Sequence, residues 1–175
     1  MNNWTRKEFL KASLLTGGAA MLARSRVSAA IATGGSANGD IRVAVVGINA
    51  QGAGHVKTYY DMKGARLVAL CDVDSDVLAK RVKETEAKGI KVTAYKDYRK
   101  LLEDKNIDAV VLASPNHQHS LQTIWGLQAG KDVYCEKPLS HNVWEGRQAV
   151  EAARKYSKNI VQAGTQIRSS DDIKE

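Results

Sequence analysis

The sequence is poor in the residues that build several common kinds of site. It has only two cysteines, Cys71 and Cys135, and no cluster of cysteine and histidine with metal-ligand spacing accompanies them. Aromatic residues make up 6% of the chain and are not interleaved with a basic stripe, which is the pattern of a nucleic-acid-binding surface. No internal repeat and no apolar run long enough for a membrane span is found. These absences argue against a metal-cluster module, a nucleic-acid-binding protein, a repeat array and a membrane-spanning protein.

Positive charge is concentrated at the start of the chain. Residues 1–30 hold five Arg or Lys and one Glu, a net charge of +4, which leaves +3 of the formal +7 for the remainder. Arg6 and Lys7 precede a mildly apolar segment, and small residues follow it near position 30. This order predicts an export signal over 1–32 and a linker over 33–40, with a disordered basic tail as the alternative. The signal resembles the twin-arginine type, with Lys7 in place of the second arginine, and implies a periplasmic location.

The stretch after the linker is the most informative part of the sequence. Apolar runs at 41–46 and 66–71 flank a turn that contains Gly47 and Gly52, and the second run ends in Asp72. A β-branched run bounded by glycine predicts a buried parallel strand. Glycines let the backbone approach a pyrophosphate at the start of the next helix, and an acid after the second strand can bind the ribose hydroxyls. The stretch therefore predicts a dinucleotide-binding turn, with a merely structural turn as the alternative.

One position departs from the usual glycine spacing. The dinucleotide fingerprint has a second glycine two residues after the first, where this chain has Asn49. Asn is the non-glycine residue that best tolerates the left-handed backbone, so the turn is still expected to form, with less room for the phosphates. Asp72 would repel a 2′-phosphate, and no Arg follows it closely. The predicted cofactor is therefore NAD rather than NADP.

Helical and strand patterns alternate beyond this turn. Helices are predicted at 76–88, 97–104, 119–129 and 142–156, and strands at 91–95, 108–113, 131–135 and 159–163. Such alternation predicts an α/β fold over 41–169, a Rossmann-type doubly wound parallel sheet in the order 3-2-1-4-5-6 with helices on both faces. In that order Cys71 and Cys135 end strands that lie roughly 14 Å apart, so both are predicted to be free thiols.

Two polar motifs directly follow predicted strands. They are Ser114-Pro115-Asn116 with His119, and Glu136-Lys137-Pro138. Ligands of open parallel sheets bind at the carboxyl ends of the strands, so both motifs are candidates for the site. Lys137 can donate a hydrogen bond to a substrate oxygen or to the nicotinamide ribose. His117 is interpreted as a helix-capping or turn residue rather than a metal ligand, because no third ligand is spaced to join it.

Together these motifs resemble the N-terminal half of the family of glucose-fructose oxidoreductase, inositol dehydrogenase and MocA. The resemblance covers Ile41 to about Ser169 and includes His55 after the glycine turn and Gly164-Thr165-Gln166-Ile167-Arg168. It implies that Lys137 is the catalytic residue beside the nicotinamide and the substrate. The implied cofactor-binding residues are Gly47, Asn49, Gly52, Asp72, Ser114, Pro115, Asn116, His119, Glu136, Lys137 and Gln166.

The resemblance also implies an activity. Family members transfer a hydride between NAD and a CH–OH group of a small-molecule substrate, here expected to be a sugar or polyol. They carry a second, α+β domain that forms the substrate pocket; it is absent from this sequence, and 170–175 are predicted to begin it. Two alternatives stay open, an NAD-dependent glycosidase of the same family and an NAD-binding module without catalysis. A homo-oligomer is an expectation for the full-length form.

Overall fold

The computed structural model describes residues 39–165, so the predicted export signal, most of the linker and Gln166 lie outside the described residues. The strands are β1 (Ile41–Val46), β2 (Ala65–Cys71), β3 (Thr93–Tyr95), β4 (Ala109–Leu112), β5 (Asp132–Glu136) and β6 (Val161–Gly164). The helices are α1 (Ala50–Thr58), α2 (Ser75–Glu86), α3 (Tyr98–Leu102), α4 (Asn116–Gln128) and α5 (Val143–Lys155). In this part of the chain no helix combines the length and the hydropathy needed to cross a membrane.

The six strands form one parallel sheet in the order β3-β2-β1-β4-β5-β6, which confirms the predicted Rossmann-type topology. Because all strands run the same way, their carboxyl ends share one edge of the sheet, where ligands of this fold bind. Cys71 ends β2 and Cys135 lies in β5, three strands away. Both cysteines are free and buried, as predicted.

Apolar side chains cover both faces of the sheet. On one face α3, α4 and α5 place residues such as Leu101, Leu127 and Ala152 against the strands. On the other face α1 and α2 contribute Val56 and Leu78. A sheet buried on both faces needs continuous apolar strands, which explains why β1 reads as an uninterrupted run and not as an alternation. The polar residues at the ends of the strands are therefore the ones free to form a site.

An ion pair joins β1 to the start of β4 at the edge of the sheet where the strands begin. The guanidinium of Arg42 in β1 donates to both carboxylate oxygens of Asp108, at 2.8 Å from Nε and 2.6 Å from Nη2. This hydrogen bonding lowers the pKa of the Asp108 carboxyl, although partial burial opposes the shift. The pair ties the start of β1 to the residue before β4, at the edge opposite the predicted site.

Two element boundaries differ from the prediction in ways that affect the site. Helix α4 begins at Asn116, three residues before its predicted start, because Pro115 occupies the N-cap position with φ −57° and has no N–H to satisfy. Strand β5 continues to Glu136, one residue further than predicted, because Glu136 pairs with Gly164 of β6. Glu136 is therefore part of the sheet, and Lys137 is the first residue beyond it.

Candidate functional site

The glycine turn between β1 and α1 leaves no space for side chains. Gly47 has a φ of +76°, and a Cβ at this residue would lie 2.6 Å from the backbone nitrogen of Ser114. A Cβ on Gly52 would lie only 1.7 Å from the carbonyl oxygen of Gly47. Both positions therefore require glycine, the first for its left-handed backbone and the second for close backbone packing. The turn places the start of α1, whose first N–H groups have no partner within the helix, at the carboxyl edge of the sheet.

Asn49 does not adopt the left-handed conformation expected from the sequence. Its backbone is extended, with φ −85° and ψ −175°, and it is the N-cap residue of α1. The positive φ falls on Ala50 instead, at 27°. An N-cap residue has an extended backbone, so the start of the helix at Ala50 determines the conformation of Asn49. The expected conformation was wrong, although Asn49 does lie in the turn.

Asp72 supports the glycine turn from the end of β2. Its Oδ2 accepts a hydrogen bond from the backbone N–H of Ile48 at 2.9 Å, and its Oδ1 accepts one from Asp74 N–H at 3.0 Å. A carboxylate can accept about four hydrogen bonds, so about two acceptor positions are left for ribose hydroxyls. Asp72 therefore stabilises the turn and also presents acceptors to a ligand.

A cleft of about 340 Å³ opens at the carboxyl ends of β1, β2 and β4. Four of the predicted residues line it, namely Gly47, Asp72, Ser114 and Pro115. The other lining residues, which the sequence interpretation did not assign to the cofactor, are Val46, Cys71, Val73, Lys96, Tyr98, His117, Gln118 and Gln122. An apolar floor, a carboxylate at one wall and the start of α1 nearby fit the adenosine half of a dinucleotide.

Hydrogen bonds fix one wall of this cleft. Ser114 Oγ donates to the side-chain oxygen of Gln122 at 2.5 Å, and the Tyr98 hydroxyl donates to the Gln122 carbonyl oxygen at 3.0 Å. Burial raises the pKa of Tyr98, so its hydroxyl remains a donor. Gln118 and Gln122 are four residues apart on α4 and so share a helix face, a signal that sequence reasoning could have used. Lys96 comes from a loop and had no such signal.

His119 lies beneath the site and not inside the cleft. Its ring is buried, with Nδ1 2.7 Å from the carbonyl oxygen of Pro138 and Nε2 2.7 Å from that of Ser114. A carbonyl oxygen only accepts, so both contacts are hydrogen bonds only when both ring nitrogens carry hydrogen. His119 thus connects the loop after β4 to the loop after β5. A contact between His119 and the cofactor stays a prediction, since both of its ring nitrogens face these protein partners.

Glu136 is buried and Lys137 is exposed at the end of β5. Glu136 is 4% exposed, and its Oε1 lies 2.9 Å from Nε2 of His55 on α1. Its Oε2 accepts a hydrogen bond from the backbone N–H of Lys137 at 3.1 Å. The Lys137 side chain is exposed, and the peptide bond that follows it, before Pro138, is cis. The acid therefore faces the protein interior, and the lysine is open to a ligand at the carboxyl edge.

The predicted residues thus occupy four kinds of position at one edge of the sheet. Gly47, Asp72, Ser114 and Pro115 line the cleft, whereas Asn116 is exposed at the start of α4 and Lys137 is exposed directly after β5. Asn49 and Gly52 form the turn, and His119 and Glu136 are buried under the loops. Within 39–165 no group of three His, Cys, Asp or Glu side chains is arranged to hold a metal ion.

Comparison with known proteins adds a family to this geometry. The sequence model of an oxidoreductase family with an NAD-binding Rossmann fold, Gfo/Idh/MocA, matches residues 41–165. An inositol 2-dehydrogenase/D-chiro-inositol 3-dehydrogenase from Shouchella clausii is 37% identical over 125 residues, which cover 71% of this chain and 35% of that protein. A glycosyl hydrolase family 109 protein from Shewanella sp. strain ANA-3 is 29% identical over 191 aligned positions, which cover 99% of this chain and 42% of that protein.

A solved structure of an inositol dehydrogenase is also similar to this chain. The myo-inositol dehydrogenase from Lactobacillus casei, crystallised in complex with NAD(H) and myo-inositol, superposes with a TM-score of 0.70 at 27% identity. The superposition covers 75% of this chain and 38% of that one. This chain therefore spans well under half the length of the proteins it matches.

Proposed function

The chain belongs to the oxidoreductase family with the NAD-binding Rossmann fold, and on that premise we propose that it forms the NAD-binding half of an enzyme that oxidises a sugar or polyol CH–OH group. One observation carries the proposal. The cleft that contains Asp72 lies at the carboxyl edge of the sheet. The exposed Lys137 lies at the same edge, on the opposite side of the glycine turn from Asp72. Bound NAD would supply the acceptor for the hydride.

The strand order assigns the two halves of the cofactor to different parts of this edge. Asp72 follows β2 and Lys137 follows β5, with β1 and β4 between them. Adenosine in the cleft would use the acceptors of Asp72, and the pyrophosphate would meet the first N–H groups of α1. The nicotinamide would then lie towards β5, beside Lys137.

Lys137 would act on the substrate oxygen. Oxidation of a CH–OH group removes a hydride from carbon and a proton from the hydroxyl. The Nζ of Lys137 can hydrogen-bond that oxygen, stabilise charge that develops on it and take part in moving the proton. The buried Glu136 would not compete for this role, since its carboxylate is turned towards His55.

Cofactor choice provides the first test. We expect NAD to bind at least about tenfold more tightly than NADP, a difference of about 1.4 kcal/mol, because the carboxylate of Asp72 repels a 2′-phosphate. Asp72→Asn keeps the shape of the side chain but removes its negative charge. The substitution should therefore reduce the difference in affinity between NAD and NADP. Titration calorimetry with both nucleotides measures it, and Asp61→Asn, at an exposed position, is the control. Equal affinities in the unsubstituted protein would contradict the role of Asp72.

A glycosidase that uses bound NAD is the second candidate, and one observation favours it. A family 109 glycosyl hydrolase is 29% identical in an alignment that covers 99% of this chain, including residues before Ile41. Assays of the whole gene product on polyols and on glycosides separate the two. NADH that accumulates in step with product supports the oxidoreductase, and glycoside cleavage without net NADH supports the glycosidase. NAD binding with neither reaction supports a non-catalytic module.

We further propose that residues 1–32 direct export by the twin-arginine route. Replacing Arg6 and Lys7 together by Gln should keep the protein in the cytoplasm, because that route reads the basic pair ahead of the apolar segment. Cell fractionation measures the outcome. The control removes the same charge from the exposed Lys88 and Lys91. Delivery that is unchanged by the first double substitution would rule out this route.

A further inference from the structure

Glu136 joins the helix of the glycine turn to the backbone of Lys137. One carboxylate oxygen takes the contact with His55 Nε2 at 2.9 Å and a longer one from Gln51 Nε2 at 3.4 Å, and both donors are on α1. The other oxygen accepts from the N–H of Lys137 at 3.1 Å. A carboxylate only accepts, so the ring nitrogen of His55 must carry the hydrogen of this bond.

The contact between Glu136 and His55 is largely buried. The side chain of Glu136 is 5% exposed and that of His55 is 18% exposed. A carboxylate removed from water needs donors, and the loss of one donor from a buried charge is costly. The ring of Tyr134 meets the His55 ring edge-on, with centroids 5.6 Å apart, which fixes the orientation of His55.

The same helix is fixed at its other end by the glycine turn. Gly52 packs against the carbonyl of Gly47 so closely that a Cβ would lie 1.7 Å from it, so the start of α1 is in direct backbone contact with the turn. His55 lies one helical turn further along α1. A continuous path therefore runs from the glycine turn through α1 and Glu136 to the backbone of Lys137.

We propose that His55 is a positioning residue for Lys137. Through Glu136 it holds the residue after β5 at a fixed place relative to the glycine turn. The Lys137 amine therefore stays beside a dinucleotide that is bound at that turn. This inference rests on the proposed function, since it assigns Lys137 to the nicotinamide end of the cofactor.

Two substitutions that differ in side-chain length test the role of His55. The amide nitrogen of Gln can take the place of histidine Nε2, the atom that contacts Glu136, whereas the shorter Asn places its nitrogen near Nδ1. His55→Gln should therefore keep the contact and His55→Asn should lose it, although both introduce a polar amide. Lys57→Asn, at an exposed position of the same helix, controls for the effect of Asn on α1.

The readout is the accessibility of the Lys137 amine in the 175-residue chain. Acetylation by sulfosuccinimidyl acetate is followed by peptide mass mapping, with and without saturating NAD, and the exposed Lys91 is the internal reference. We expect NAD to slow acetylation of Lys137 by about fivefold or more in the unsubstituted protein, in His55→Gln and in Lys57→Asn, the lower end of usual coupling between sites. In His55→Asn the protection should fall below about twofold although NAD is still bound.

The outcomes separate the inference from the proposal beneath it. Full protection in His55→Asn would overturn the positioning role and leave the proposed function standing. A lack of protection in the unsubstituted protein with NAD bound would overturn both, because Lys137 would not lie beside the cofactor. Thermal unfolding checks that each variant is folded. If His55→Asn does not fold, Glu136→Asp withdraws the carboxylate from His55 by one methylene and should show the same loss of protection.

Discussion

Gly52→Ala is expected to abolish measurable binding of NAD. The added Cβ would lie 1.7 Å from the carbonyl oxygen of Gly47, and neither atom belongs to a flexible side chain. The turn or the start of α1 must therefore move, which disrupts the N–H groups proposed to hold the pyrophosphate. We expect a loss of affinity of at least about 100-fold, equivalent to about 2.7 kcal/mol, in a titration with NAD.

Gly54→Ala is the matched control for this substitution. It lies two residues further along the same helix, and a Cβ there would have no heavy atom within 4 Å. Alanine is favoured over glycine inside a helix by about 1 kcal/mol, so the melting temperature should stay the same or rise. NAD binding should be unchanged. Retention of NAD affinity within about threefold in Gly52→Ala would contradict the assignment of this turn to the pyrophosphate, since threefold is less than 1 kcal/mol.

Lys137→Ala is expected to reduce turnover of the whole gene product by about 100-fold or more while NAD affinity stays nearly the same. The reason is positional, because Lys137 follows β5 whereas the cleft proposed for adenosine lies at β1, β2 and β4. Steady-state kinetics and a separate NAD titration measure the two effects.

Lys96→Ala gives the contrasting variant. Lys96 lines the cleft, so its loss should change NAD affinity more than turnover. Normal turnover in Lys137→Ala would mean that the lysine is only a loop residue and that catalysis lies elsewhere. A collapse of NAD binding in that variant would instead make Lys137 a ligand of the cofactor first.

The sheet and the glycine turn were predictable because they follow from local rules. Apolar runs buried on both faces, bounded by glycine, specify parallel strands, and the order of the strands is that of the doubly wound fold that binds dinucleotides. The need for glycine at 52 is also local, since a Cβ there would meet the carbonyl of Gly47 in the same turn, whereas Gly47 is required both by its positive φ and by the backbone of Ser114 after β4. The free state of the two cysteines then followed from the strand order alone.

The contacts under the site were not predictable in this way. His55 and Glu136 are 81 residues apart in the chain, and they meet only because α1 packs beside the end of β5. The face of the sheet on which the Glu136 side chain lies depends on whether β5 ends at Cys135 or at Glu136. Successive side chains of a strand alternate between faces, so Glu136 follows Tyr134 towards α1 once β5 includes it. A strand that ended at Cys135, as predicted, left this direction undetermined.

The two cysteines make the protein its own reporter of conformational opening. Burial raises the pKa of Cys71 to about 12 and that of Cys135 to about 11, so almost no thiolate is present in the closed sheet at neutral pH. A thiol reagent attacks the thiolate and needs access to it, so its rate measures how often the surrounding strands open. Cys71 adjoins Asp72, and Cys135 adjoins Glu136. The rates at which the sheet opens near Asp72 and near Lys137 can therefore be measured separately, without any introduced label.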